Sequence, residues 1–516
     1  MKKQIAVLLL SASGVLAGEP RSALWQDFVE AGEQGRTPVL PDFSYAGYQY
    51  GEAAIPDVDY TVFDVTDYGA VADDGESDRE AIEAAIAAAE ANGSGVVFFP
   101  AGRFCINEKR GGKEPIVIGR GRIVLRGSGS GAGGTELFMK YPLEPLNPAQ
   151  LWTVPYMFQF RIPLTVERDR RLTTITVAAA RESFQVTVAD ASGLQAGDRV
   201  ALRLNDPSAT DTFLAPYKAE AGWKKALAGN LVNERHCIAS VDGNLLTFTE
   251  PIHVDIDPEY NWNLYSFVYM EGAGVEDIAF IGDWDERFVH HKNALHDSGW
   301  SAIDMQRCVN SWIRRCRFDS WNQCVKLTQC VAASVIDCTI EGTPGHRAIA
   351  SEGGSYGVLI GRCTDTAGQW HGPGASSLSA GAVIWRCEWP ETSSMELHAS
   401  LPRDTLFDAV DGGLLYARFG GAVTALPNHL RGLVLWNYHQ KGPAIKRFSF
   451  WRDDTNWGRV VMPVIVGFHG SPTTFVEEEL QVLESCGEPV EPESLYEAQL
   501  ELRLGTLPEW IKQVGK

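Results

Sequence analysis

Val309 to Arg403 reads as four lines of one text: VNSWIRRCRFDSWNQCVKLTQ from Val309, VAASVIDCTIEGTPGHRAIASEG from Val331, SYGVLIGRCTDTAGQWHGPGASS from Ser355 and SAGAVIWRCEWPETSSMELHASLPR from Ser379. A cysteine closes the short apolar run of each line, at Cys316, Cys338, Cys363 and Cys387, in steps of 22, 25 and 24 residues. Such steps match one coil of a parallel β-helix, in which each lap lays short strands on the lap before. The expected fold is therefore an all-β solenoid. With one cysteine per coil and no CxxC pair, the ladder is expected to be free thiols packed as small hydrophobes.

A second column follows from the first. Stepping coil by coil from Trp300 gives Asn322, His346, His371 and His398. Strand alternation then sends Ile303, Val325 and Ile349 inward. It leaves Asp304 and Lys326 on the outer face, with Gln306, Thr328, Glu352, Ser377 and Asp404 as the next outward row and Arg403 at its far edge. Trp321 and Trp370 precede Asn322 and His371 and offer flat faces on which pyranose rings stack.

The chain has 516 residues and a formal net charge of −21. A solenoid accommodates that length because it grows in one dimension. No basic stripe is present, which argues against a nucleic-acid partner. Residues 1–17 read as a secretory signal cleaved near Ala17, so the mature protein is expected to be secreted or periplasmic, and no later run is long and apolar enough to span a membrane. The oligomeric state is left open.

Around the repeat, residues 18–60 read as an N-terminal extension, 61–171 as a cap with the first coils, 255–446 as the main coils and 447–516 as a C-terminal cap. Between them, 172–254 alternates as an inserted small β-domain with turns at Ala196-Gly197-Asp198 and Asp242-Gly243. In the cap, Ser77 and Glu80 have the spacing of a capping box for a helix that Gly93 and Gly95 end. The GxGxxG spacing at Gly129, Gly131 and Gly134 does not open a helix of a βαβ unit, so no dinucleotide is expected.

FDVTDYGA from Phe63, then the helix, then GVVFFPAGRF ending at Phe104, resembles the N-terminal cap of the pectate-lyase-like and polygalacturonase-like right-handed β-helix superfamily. LWQDFVEAGEQGRTPVLPDFSYAGY from Leu24 is similar to the start of bacterial secreted β-helix proteins without assigned function. The resemblance implies a right-handed parallel β-helix with an N-terminal cap helix. It does not choose a reaction, because lyases, hydrolases, epimerases and phage tailspikes share the fold.

A groove with polar teeth suits an elongated polymer. Arg347 and Arg403 beside the histidines favour an anionic polysaccharide, bearing uronate or sulfate. In β-elimination His346, His371 or Lys326 takes the proton next to the carboxylate and Arg347 or Arg403 stabilises the enolate. In hydrolysis two of Asp304, Glu352 and Asp404 flank the bond, with Asn322, Arg347 and the tryptophans holding substrate. Elimination is the expected reaction and hydrolysis its alternative; a non-catalytic glycan-binding β-helix is the third. No cofactor is expected and no metal ligand set is read; calcium is left open, without the clustered aspartates that would hold it.

Overall fold

The computed structural model describes residues 20–512 except 164, 167–168, 416–417 and 453–457, so the expected signal lies outside the described residues. The chain forms a parallel β-helix with three faces. One is a twelve-stranded sheet running from Val62–Asp64 to Val482–Glu484, the second a six-stranded sheet, and the third a seven-stranded sheet from Ile116–Ile118 to Glu396–Leu397.

The long sheet stacks one inward side chain per coil: Val97, Leu125, Val275, Ile313, Val335, Ile360, Ile384, Phe407, Leu435, Ile465 and Leu483 lie in register. Apolar columns of this kind carry most of the favourable burial. The chain leaves the long sheet through a sharp corner, held by one residue with positive φ immediately before each cysteine: Arg315, Asp337, Arg362 and Arg386. Its backbone N–H donates to the next coil, as Arg315 does to Ile336 O at 3.1 Å and Arg362 to Trp385 O at 2.8 Å. The cysteine after the corner turns inward. All ten cysteines are free, and the four of the ladder are buried.

The cap helix, Arg79–Asn92, buries Ala81, Ile82, Ala85, Ile86 and Ala89 against the first coil. Its expected capping box does not form. Asp78 is the N-cap residue and makes no side-chain cap bond; its carboxylate instead accepts from Val71 N at 2.8 Å and Cys105 N at 2.7 Å, and Ser77 pairs with Cys105 as a β-bridge. The coil edge has taken the groups a local cap would use.

The main coils extend past 446, because Val464–Val466 and Val482–Glu484 are the last strands of the long sheet. The helix Leu495–Leu504 is not an end cap. It lies with the helix Ala23–Gln34 against the outer face of that sheet, over Leu359, Val383, Trp385, Leu406 and Val434. Among the described residues no helix is long and apolar enough to cross a membrane.

The inserted domain is a six-stranded antiparallel sheet that runs on to Trp262–Ser266, beyond the expected boundary at 254, because that strand pairs with Arg199–Asn205. Residues 242–244 turn a hairpin, but 196–198 do not: Gln185–Thr187 pairs with Leu245–Phe248 instead of with the strand that follows the turn. The domain shares a core with Leu401, Leu426 and Leu430 of the coils. Arg403 is consumed here. It is 4% exposed and ion-paired with buried Glu234 of the inserted domain, while Asp404 and His253 line a cleft of about 350 Å³ beside it. Neither Arg403 nor Asp404 belongs to the histidine wall, because Thr405–Asp408 is a strand of the long sheet.

Two expectations follow. Glu276 is buried between Arg126 and Arg314, the latter at 2.7 Å, and Arg314 also ties the extension through Ile55 O at 3.0 Å. Glu276→Ala removes the buried carboxylate that both guanidiniums share, leaving Arg314 only its exposed partner Asp57, and is expected to cost about 3 kcal/mol in chemical denaturation. For His253, burial lowers its pKa, but Glu182 at 3.2 Å, Asp404 and Glu234 outweigh this and hold it up at about 9. A raised histidine stabilises fully below its unfolded value of about 6.5, and that contribution is lost as pH rises through about 9. Thermal melting is expected to fall across that window, and less steeply in His253→Gln.

Candidate active site

The seven-stranded sheet sets the site. Asp304 pairs with Lys326, Lys326 with Ala350, Ala350 with Gly374 and Gly374 with Glu396. Gln306, Thr328 and Glu352 form a parallel row, and Gln323, Arg347 and His371 another. Neighbouring coils are about 4.8 Å apart, so each row is a ladder of side chains within reach of one another.

This register corrects the expected histidine column. His371 lies beside Arg347, not His346, and His398 lies one residue beyond the Ala375–Leu397 pair. Ser377 leaves the Glu352 row for the same reason, and Asp404 leaves it because it precedes a strand of the long sheet. Laps counted between cysteines include corner residues that do not count on this face: here the steps from Asp304 are 22, 24, 24 and 22. The rings meet nonetheless, with centroids of His346 and His371 5.2 Å apart and of His371 and His398 5.3 Å apart.

Loop 285–300 adds two more imidazoles. Its short helix Ala294–Ser298 starts at Asn293, whose side chain accepts from His296 N. The loop lays His290 on His346, centroids 5.2 Å apart, and His291 on His290 at 3.7 Å. His346 Nδ1 lies 3.1 Å from Asp297 O, and His371 Nδ1 lies 2.7 Å from Arg418 O. Glu396, fully buried, stands with Oε1 2.5 Å from His398 Nδ1. Burial pushes His371 down to about 3 and His290 to about 4, and carries His346 well below the usual imidazole value. Burial alone would raise Glu396, but His398, Arg347 and His371 hold it at about 2. The ligating atoms of His371, Glu396 and His398 lie within 4.8 Å of one another, as do those of His290, His291 and His346.

Beside this centre runs an ion-pair network. Lys326 Nζ is 3.0 Å from Asp304 and 4.0 Å from Glu352, and Arg347 is 3.3 Å from Glu352. Tyr156 covers it: its ring lies 4.7 Å from Lys326 Nζ, and its hydroxyl accepts from Arg347 at 3.3 Å and donates to Gln323. Burial would neutralise Glu352 and Lys326. Their partners win, Arg347 and Lys326 lowering Glu352 and Asp304 raising Lys326, so both stay charged.

Several expected contacts face the wrong way or are covered. Asp304 is 2% exposed beneath Lys326. Asn322 is fully buried and its Oδ1 accepts from Trp300 N at 2.9 Å, so it fixes a corner and not a sugar. Trp321 is core, its Nε1 bonded to Phe280 O at 2.9 Å. Trp370 is taken by the Arg418 guanidinium, 3.5 Å from its centroid, and by stacking with His290. Sequence reading passed over Glu396, His290, His291 and Tyr156. The first carried a signal, since Glu396 stands two residues before His398, the spacing that puts both on one side of an extended backbone.

No curated protein is similar enough in sequence to match the chain. Residues 62–135 match the family described as rhamnogalacturonase A/epimerase, pectate lyase-like, and residues 368–514 match a domain of unknown function, DUF4955. The chain is similar to the tailspike protein gp49 from Pseudomonas phage LKA1 at 13% identity, over 83% of this chain and 79% of that one, with a TM-score of 0.40. It is also similar to the A-module of the mannuronan C-5 epimerase AlgE6 from Azotobacter vinelandii (12% identity, 83% and 91% covered, TM-score 0.38). An exopolygalacturonase from Thermotoga maritima is a third (11% identity, 86% and 95% covered, TM-score 0.35). By its sheet topology the chain is a parallel β-helix, and its cap segment, residues 62–135, matches the pectate-lyase-like family model.

Proposed function

We propose that this protein is a carbohydrate-active enzyme that cleaves an anionic polysaccharide by β-elimination along the outer face of its seven-stranded sheet. The observation that carries the reading is the continuity of ionisable side chains across successive coils, from Asp304, Lys326, Arg347 and Glu352 to the histidines and Glu396. A row of such groups on adjacent coils repeats along a polymer as a compact pocket does not. The rhamnogalacturonase/epimerase description of the matched cap segment agrees with a glycan substrate. The reading places the protein outside the cytoplasm, after the leader expected in residues 1–17.

Elimination is favoured over hydrolysis by the state of the carboxylates. A glycosidase of the two-carboxylate type needs one acid that stays protonated. Asp304 and Glu352 are each tied to a cation, and Glu352 is held below the usual carboxylate range by Arg347 and Lys326. Lys326, held protonated by Asp304, is no base either, so the proton next to the carboxylate passes to Nε2 of His346, whose ring burial keeps neutral. The role of Lys326 is to donate hydrogen bonds to the acidic group of the sugar, with Arg347 behind it, although Asp304 and Glu352 already offset both charges.

The test is incubation of the purified protein with a panel of uronate-bearing and sulfated polysaccharides. Ultraviolet absorbance of an unsaturated uronate, appearing with new reducing ends, is expected. Reducing ends alone would mean hydrolysis, and retained binding with neither signal would mean a glycan-binding module. On the substrate found, Lys326→Met is expected to lower turnover about 10²- to 10³-fold, the usual loss when one stabilising donor is removed, with melting temperature confirming the fold.

A further inference from the structure

The wall presents Lys326 and Arg347 against Asp304, Glu352 and Glu396, so it has no surplus of positive charge with which to hold an acidic sugar. The adjacent centre has the opposite excess, that of electron pairs. His371 Nε2, His346 Nε2, His290 Nε2, His398 Nδ1 and both carboxylate oxygens of Glu396 are buried and have no hydrogen-bond partner among the described residues. Buried polar atoms are normally satisfied. Six in one place, all lone-pair bearers of metal-ligand type, share a direction.

We propose that His371, Glu396 and His398 bind a divalent first-row transition-metal ion, with His346 and His290 lining the same centre. The three ligating atoms lie within 4.8 Å of one another. His398 Nδ1 and Glu396 Oε1 face each other at 2.5 Å, while His371 Nε2 and Glu396 Oε2 beside them stay without a partner among the described residues. The remaining ring nitrogen of His371 faces Arg418 O at 2.7 Å, and that of His346 faces Asp297 O at 3.1 Å. A backbone carbonyl at Nδ1 fixes the tautomer that leaves Nε2 free, which is how ligating histidines are oriented. Gly420 makes room, since a Cβ there would stand 2.0 Å from His398 Nδ1.

The donor set names the class of ion. Two imidazoles and one carboxylate suit zinc, manganese, iron or nickel, and leave coordination positions open as in catalytic sites. Calcium takes six to eight oxygens, which this centre does not supply. His398, with its side chain one-third exposed, is the member that opens the site to the groove. A dication there supplies the positive charge the wall lacks for a uronate carboxylate; that role rests on the polysaccharide reading, whereas the binding itself does not.

The experiment is titration of chelator-treated, full-length protein with zinc by calorimetry, with cobalt as a spectroscopic probe and bound metal counted by mass spectrometry. At least one ion per chain is expected, with visible cobalt bands of nitrogen and oxygen ligation. Glu396→Gln, which keeps shape, and His371→Ala are each expected to weaken binding more than about a hundredfold, beyond the loss typical of an outer-shell partner. His439→Ala alters the His439–His469 pair, which lies in the separate three-stranded sheet, and is expected to change nothing. Absence of stoichiometric binding overturns the proposal, as does binding equal in all three folded variants or binding of calcium alone. Since no substrate is used, a protein that binds zinc but leaves every polysaccharide intact overturns only the functional reading. Cleavage at an undiminished rate after chelation overturns the metal's role in it.

Discussion

The residue at the corner between the first two faces of each coil is the constraint on which the rest depends. Asp277, Arg315, Asp337, Arg362, Arg386, Ala409 and Asn437 all occupy the left-handed region, which carries a steric cost for any residue with a Cβ. The corner persists because it does two things at once. It turns the residue that follows, Ile278, Cys316, Cys338, Cys363, Cys387, Val410 or Tyr438, into the core. It also aims its own N–H at the carbonyl of the next coil, as at Asp337 to Gly361 O and Asn437 to Val466 O. Arginines at the corner then clasp the coil before, Arg315 on Asp277 and Arg362 on Asp337. The strain of one position is offset by burial and a shared hydrogen bond, repeated coil after coil.

A stack locked on that side leaves the opposite face free to vary. Its laps change length where loops leave the coil, and one departure, 285–300, folds back to bring His290 and His291 over His346. The inserted domain uses the same freedom, anchored by the Arg403–Glu234 pair and by Tyr356, whose hydroxyl donates to Pro251 O at 2.5 Å. Charge on the wall is arranged for neutrality: each cation has a carboxylate, and Tyr156 roofs the pair. Against that background the free Nε2 atoms of His290, His346 and His371 and the outer oxygen of Glu396 stand out as buried polar atoms without a hydrogen-bond partner among the described residues.

Much of this was legible in the residues. The cysteine ladder, the inward column of Ile303, Val325 and Ile349 and the text of the cap each follow from periodicity or side-chain chemistry that acts locally, and they specify the coil fold. The outward row of Asp304 with Lys326, and of Gln306, Thr328 and Glu352, follows from alternation as long as laps are regular. It fails at His371 because the lap on this face is 24 residues where the count took 25, and further at His398 because the next lap is 22 where the count took 27.

The sequence by itself thus determined the coil, its core and the identity of most polar groups on one wall, because a repeating backbone makes residue spacing equivalent to position. Only the tertiary structure decided which of those groups meet. Arg403 and Asp404 were drawn to the inserted domain, Trp321 and Asn322 were buried in a corner, and Glu396 was brought against His371 from a different coil. The physical reason is that loops and insertions obey no period: where their side chains land depends on how each excursion closes back on the stack, a long-range condition that no local pattern encodes.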